Sequence, residues 1–241
     1  MKSHRFSPVQ FFAAVGSTND VAAALPHRSV VVAGQQTAGR GRRGHSWFSP
    51  PGAGLYVSVV LAPASARVDP ARATTLLTLA AGVALVEGVA ASTGLSADLK
   101  WPNDLLVSGR KLAGILAEGH ADTVVLGYGI NILAAAFPPE LRSRATSLES
   151  EIGRPIESDL VLEETLAALS RRYEDLLDGR FDAILDAWRR HAPAASGARV
   201  SWTTMDGAQS GVTAGIDDHG ALLVQVGDRV ERIVSGEITW L

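Results

Sequence analysis

Two periodicities run through the apolar positions of this chain, and where each holds gives the elements. Ser29–Ala33 is an apolar run of strand length, and Leu55–Leu61 alternates as a second strand. Ser17 or Thr18 can cap a short helix through Leu25, which Pro26 ends. Asp69-Pro70 joins a capping carboxylate to proline at the first helical position. The segment after it, to about Ala91, is apolar on nearly every side until Gly94, which predicts a helix at the centre of the core. Asp98–Val107, a Ser108-Gly109 turn and Arg110–Gly119 read as a hairpin, and Thr123–Ile132 as a further strand. Ser158–Leu177, with a serine cap and Gly179 past its end, and Phe181–His191, stopped by Pro193, have helical spacing. Before these helices Ala134–Ser150 has poor periodicity, and a loop that long in a compact domain is more often functional than idle. After Ala194-Ala195-Ser196-Gly197 the pattern changes to about five short alternating strands with Asp206-Gly207 and His219-Gly220 turns. They suggest a small barrel, too small to stand alone, so residues 1–193 form the main domain and 194–241 a second one packed on it.

Composition narrows the class. A 46% hydrophobic chain of 241 residues can bury a large core, and a formal net charge of −3 gives no footprint for a polyanion. The absence of cysteine excludes disulfides, thiolate chemistry and cysteine zinc sites, which is consistent with the cytoplasm. Phe11–Val15 is too short for a signal-peptide core, and Leu76–Val86 is interrupted by Glu87 before it reaches membrane-spanning length. The expectation is a soluble cytoplasmic protein with no membrane and no nucleic-acid partner.

The chemistry concentrates in Gly34–Trp47, G-Q-Q-T-A-G-R-G-R-R-G-H-S-W, directly after a strand. Glycines let backbone approach a ligand closely, and arginine forks suit phosphates and carboxylates. The letters satisfy the dinucleotide-binding pattern G-x-G-x-x-G, but that motif must open a helix, and Pro50-Pro51 followed by the strand Leu55–Leu61 forbids one. A solvated turn would explain arginines but not four glycines and a flanking tryptophan. A clamp for a small anion fits best.

Three smaller pieces follow. Lys100-Trp101-Pro102-Asn103-Asp104 lies in the first hairpin arm, and Pro102 within a strand implies an edge or a bulge. Arg110-Lys111-Leu112-Ala113-Gly114 opens the second arm. Alone, Lys111 is more often a solvated hairpin lysine and Asp104 a turn-capping carboxylate. In Gly127-Tyr128-Gly129-Ile130-Asn131, two glycines bare one strand face that could admit a flat ring, with Asn131 on the same face. Ser17-Thr18-Asn19 supplies neutral hydrogen-bonding groups, or simply a helix cap.

Taken in order, Ser-Thr-Asn, G-R-G-R-R-G-x-x-W, K-W-P-N-D-L, R-K-L-A-G-I-L and G-x-G-x-N, the chain resembles the bacterial biotin protein ligases. The likeness runs from Gly16 to Asn131 and more faintly to Ser235-Gly236-Glu237-Ile238. It implies a catalytic α/β domain of α+β type with a mixed, largely antiparallel sheet, class II synthetase-like, and a C-terminal SH3-like barrel. It implies activation of biotin by magnesium-ATP to biotinyl-adenylate, then transfer to a lysine of the biotin carboxyl carrier protein of acetyl-CoA carboxylase or a related carboxylase.

By resemblance Ser17, Thr18, Asn19 and Gln36 line the biotin pocket and bond the ureido ring. Gly39, Arg40, Gly41, Arg42 and Arg43 fold over biotin and the phosphates, with Trp47 as apolar wall and Gly114 leaving room beside the strand. Lys111 meets the biotin carboxylate and α-phosphate, and Asn131 meets adenine. The ATP side is completed by Asn103 and by His45, where the family commonly carries another basic residue. Lys111 and Arg42 are the candidate catalytic cations. Asp104 is a candidate either to take the carrier lysine's proton or to help hold magnesium. The adenine-covering loop falls within Ala134–Thr146. A DNA-binding winged helix is not recognisable, so no operator binding is expected, and the family allows a homodimer. The rival readings are a lipoate or octanoate ligase of the same fold, which would need a long apolar tunnel, and a non-catalytic ligand-binding module, which would have no need of Lys111.

Overall fold

A computed structural model describes residues 5–7, 9–133, 137–204, 207–236 and 238–241. Asp206 of the expected turn, residues 134–136 of the expected loop and Glu237 lie outside the described residues. Seven strands form the main sheet: β1 (Val9–Phe12), β2 (Val30–Ala33), β3 (Gly54–Leu61), β4 (Asp98–Lys100), β5 (Asp104–Val107), β6 (Arg110–His120) and β7 (Thr123–Asn131). They lie in the order β1-β2-β3-β7-β6-β5-β4, with β1 and β2 parallel and the other neighbours antiparallel. The mixed, largely antiparallel sheet expected from the sequence is therefore present.

The two faces of the sheet differ. On one, Val30, Val57, Val59, Leu126 and Ile130 pack under helices α2 (Pro70–Thr93), α4 (Ser158–Leu177) and α5 (Phe181–His191). Helix α2 starts as its sequence predicts: the Asp69 carboxylate accepts from the Arg72 amide at 3.0 Å, and Gly94 ends it at φ +78°. Its apolar surface is spent on this core, since most of the helix is buried. On the other face Val31, Val60 and Val125 pack with Ala22 of a short helix, α1 (Thr18–Ala23), flanked by Phe12 and Leu25. Beyond α1 that face carries Ser58, Gly127 and Gly129, which period-2 alternation places together. The site forms on this thinly covered face.

Several expectations need correction. β1 was not foreseen: two of its four residues are the phenylalanines of a segment read only for its shortness. The first hairpin arm is two strands, because Pro102 lacks the N–H a ladder needs and the chain turns back there to pair β4 with β5. Pro102 is thus in a turn rather than in a strand. Glu157, not a serine, occupies the N-cap of α4, and no side chain caps it. The expected loop ends early, because Ser147 caps the short helix α3 (Leu148–Ile152) by accepting from the Ser150 amide at 3.2 Å.

The remaining strands, β8 (Ser196–Thr204), β9 (Gly207–Ile216), β10 (Leu222–Val226), β11 (Arg229–Ile233) and β12 (Thr239–Trp240), match the expected number. They pair antiparallel in the open order β11-β10-β9-β8-β12. This sheet is fastened to the first. The Trp101 indole N–H donates to the Gly220 carbonyl at 2.9 Å, Arg72 Nε donates to the Asp218 carbonyl at 2.8 Å, and the Lys100 ammonium sits 5.8 Å from the Trp240 ring centre.

Candidate active site

One cavity of about 270 Å³ lies on the α1 face of the sheet. It gathers groups from four separate stretches of sequence: Thr18, Gln36, Arg42, Trp47, Asp104 and Lys111 all reach it. The loop between β2 and β3 lies across it. Arg42–Gly44 makes one 3-10 turn, with Arg43 in the left-handed region at φ 55°, and the chain then continues towards β3 without a helix. Gly41 N–H to the His45 carbonyl (2.6 Å) and Trp47 N–H to the Gly39 carbonyl (2.8 Å) close the loop on itself.

The bare strand face works differently from the sequence reading. A Cβ on Gly127 would stand 2.2 Å from Asn19 Oδ1, and one on Gly129 would stand 2.4 Å from Trp47 Nε1. The protein's own Asn19 and Trp47 side chains lie directly over the two α-carbons, while both glycines still line the cavity. The Trp47 indole also crosses Gly114, whose added Cβ would lie 3.0 Å from it. The glycines thus sink Asn19 and Trp47 into the sheet, and the cavity opens above them. The Trp47 indole N–H is buried without a hydrogen-bond partner.

The cationic end centres on Lys111. Its ammonium lies 2.6 Å from Asp104 Oδ1 and 5.3 Å from the Trp47 ring centre. Asn103 is pinned to β6, donating to the Ile115 carbonyl at 2.7 Å and accepting from Arg42 Nη1 at 3.4 Å. Burial disfavours the Arg42 cation, as does nearby Arg43, while Asp104 favours it. Lys100 is also pulled below the usual lysine range, chiefly by burial and further by Lys111, against the pull of Asp104. Lys100 lines the cavity but was assigned no role from sequence.

Two assigned residues are otherwise engaged. The Arg40 guanidinium grips Asp20 with both arms (2.6 and 2.8 Å) and reaches Glu118 at 3.2 Å, bonds that hold its pKa up. Its charge is offset before any phosphate arrives. Asn131 is buried and spends its amide N–H groups on the carbonyls of Thr146 (3.0 Å) and Lys111 (3.3 Å). It ties the Lys111 strand to the segment ending the long loop, where the Lys111 N–H also donates to the Arg144 carbonyl and the Lys111 carbonyl accepts from the Thr146 amide. Asn131 does not line the cavity. Ser17, Arg43, His45, Gly41 and Gly114 do line it, whereas Gly39 packs beneath, with 2.6 Å between an added Cβ and the Trp47 carbonyl oxygen.

At the neutral end, Thr18, Asn19 and Ser17 are buried. Gln36 Oε1 accepts from the Thr18 backbone amide at 2.8 Å and lies 3.0 Å from Thr18 Oγ1. Behind them stands Ser58, a fully buried hydroxyl in the strand G-L-Y-V-S-V-V-L. A lone polar residue in an apolar strand was the signal available for it. Glu118 and Asp20 gave no comparable signal, because their partners are distant in sequence.

Comparison with known proteins bears on this arrangement. The sequence model of the biotin/lipoate A/B protein ligase family matches residues 13–133, just over half the chain. The chain belongs to that family. A biotin protein ligase C-terminal domain model matches residues 195–239. The bifunctional ligase/repressor BirA of Bacillus subtilis is 37% identical over 88% of the chain, which spans 66% of that relative's length. The biotin–[acetyl-CoA-carboxylase] ligase of Mycobacterium tuberculosis is 35% identical, with 88% of this chain and 79% of that protein covered. Among solved structures, the biotin protein ligase of Aquifex aeolicus in complex with biotin and ATP superposes with a TM-score of 0.86 at 27% identity, covering 98% of this chain and 99% of that one.

Proposed function

We propose that this member of the family is an ATP-dependent biotin protein ligase, acting on biotin, ATP and a biotin carboxyl carrier protein. The carrying observation is that Arg42 and Lys111 share one cavity with the neutral Thr18–Gln36 pair. In the first step a biotin carboxylate oxygen attacks the α-phosphorus of ATP, the bond to the β-phosphate oxygen breaks, and pyrophosphate leaves. One anion attacks another, so neutralising charge is the first demand on the site. Lys111 and Arg42 meet it, each charge-assisted bond contributing roughly 1.5–3 kcal/mol. In the second step the carrier lysine's amine attacks the acyl carbon, the acyl–phosphate bond breaks, AMP leaves, and a proton must go from the amine to a base. Asp104, beside Lys111, is the carboxylate we assign to it.

Among the described residues no three His, Asp or Glu side chains converge as a metal cage. Magnesium binds few protein carboxylates and keeps water and phosphate oxygens, so it would come with the triphosphate, with Asp104 as the carboxylate in reach. When bound it would supply charge neutralisation on the phosphates. The residues 1–193 and 194–241 are read as catalytic and SH3-like domains, supported by the break in pairing between the two sheets. The neutral hydrogen-bonding end favours a ureido ring over the acyl chain of a lipoate or octanoate ligase. Supplying biotin and lipoate separately with labelled ATP tests this: exchange of pyrophosphate is expected with biotin, and exchange with lipoate alone would overturn the assignment.

A further inference from the structure

Six polar side chains form one connected chain behind the cavity, and each end of it has a group whose role is fixed. At one end a Glu118 carboxylate oxygen, which can only accept, takes Asn19 Nδ2 at 2.6 Å. The Asn19 amide must therefore aim its oxygen the other way, at Ser58 Oγ, 2.6 Å off. Ser58 also lies 2.7 Å from Thr18 Oγ1, but its one hydrogen cannot serve both oxygens. An amide oxygen cannot donate, so the Ser58 hydrogen goes to Asn19, and Thr18 must give its own to Ser58. At the other end Ser49 Oγ donates to the Trp47 carbonyl at 3.0 Å and so accepts from Gln36 Nε2 at 3.1 Å. That fixes the Gln36 amide with Oε1 towards Thr18, 3.0 Å from Thr18 Oγ1. Two oxygens, Thr18 Oγ1 and Gln36 Oε1, then face each other at the cavity with no hydrogen of their own between them.

We propose that Glu118 is a positioning residue that sets the proton order of this chain, leaving Thr18 Oγ1 and Gln36 Oε1 as an acceptor pair for a ligand N–H, and so selecting a cyclic urea over a ligand with an acceptor there. The inference rests on the biotin reading above. It adds Glu118, Ser58 and Ser49, none of which lines the cavity. Without the Glu118 acceptor the Asn19 amide is free to turn, Ser58 can then donate to Thr18, and Thr18 can turn its hydrogen to Gln36, which cancels the demand for a donor. Gly127 is part of the design, because only an absent Cβ lets Asn19 lie flat on the strand between Ser58 and Glu118.

Calorimetric titration of the full-length protein tests this with biotin and with biotin methylated on either ureido nitrogen. Wild type should bind biotin and reject at least one methylated isomer. Glu118→Met should raise the biotin Kd on the order of tenfold, the scale of one lost hydrogen bond, and compress the ratio between biotin and its methylated form. Glu118→Gln, whose amide oxygen can still accept from Asn19, should stay within about threefold of wild type. Asp20→Asn removes only the other carboxylate on Arg40 and should behave likewise. Failure of the wild type to bind biotin would sink the functional assignment itself. A wild type that binds biotin beside a Glu118→Met that binds equally well, with an unchanged ratio, overturns the proton-order proposal alone. Equal losses in Glu118→Met and Asp20→Asn also overturn it, by routing the effect through Arg40. If Glu118→Met does not fold, Ser58→Ala removes the acceptor of the Thr18 hydrogen, which can then turn to Gln36, and must compress the same ratio; an uncompressed ratio there refutes the proposal.

Discussion

The two ends of the cavity are built on opposite principles. At the Thr18–Gln36 end the groups facing the cavity are neutral, mostly buried, and bonded to one another across β3, α1 and the loop after β2. At the Arg42–Lys111 end they are charged, and two of the cations, part-buried Arg42 and exposed Arg43, come from one short turn, where burial and then Arg43 disfavour the Arg42 charge. A neutral ring can be recognised by a network that is already in place and does not reorganise on binding. A polyphosphate cannot be met that way, since cations held rigidly together without it would carry a standing repulsion. Cations on a short turn can wait apart and close when the anion arrives.

Mutations at each end should therefore fail in different observables. The largest effect is expected from Lys111→Ala, which should slow adenylate formation by roughly 10²-fold or more, the scale for removing one preorganised transition-state donor. Pyrophosphate exchange measures it, and an unchanged rate would show that the cationic end is not where the chemistry occurs. Arg42→Gly should loosen the grip on the adenylate by about tenfold and release it, read as labelling of bystander lysines. Labelling confined to the carrier would remove Arg42 from the clamp. Gly127→Ala should act at the neutral end alone: its Cβ displaces Asn19, raising KM for biotin by on the order of tenfold with KM for ATP unchanged. Equal changes in both would erase the distinction between the ends.

The smallest effect is one of pH. The Lys100 ammonium is held below the ordinary lysine value, so on the alkaline side the cavity loses this charge earlier than an exposed lysine would. In that window the unfolded chain binds more protons than the folded one, so stability should rise with pH while affinity for ATP falls. Lys100→Arg, whose guanidinium stays protonated, should abolish this alkaline loss of ATP affinity. A profile identical to wild type would leave Lys100 without a role in phosphate binding.

Much of this was legible in the sequence. Asp69-Pro70 and Gly94 bracket α2 because capping is local chemistry, and the glycine-arginine loop advertises an anion by composition alone. What the sequence leaves out is the non-local pairing. Arg40 reads as a phosphate ligand, and the fold keeps it on the cavity wall while bringing Asp20 and Glu118 beside it. Gly127 and Gly129 read as an open platform until Asn19 and Trp47 arrive from elsewhere to lie over their α-carbons. Asn131 reads as a base reader, and the end of the long loop adds the Thr146 carbonyl as a partner for its amide. In each case the residue type was informative, but its partner was set by tertiary pairing that no spacing encodes.

Three of the five tryptophans stand at this cavity: Trp47 and Trp101 in its wall and Trp240 beneath Lys100. Indole emission depends on the polarity and charge around the ring, so the molecule carries its own optical reporter at the place where ligands enter. Arrival of a neutral ring should perturb Trp47, and arrival of phosphates beside Lys100 should perturb Trp240. Single tryptophan-to-phenylalanine replacements would then let the order of the two arrivals be followed in real time, without any attached dye.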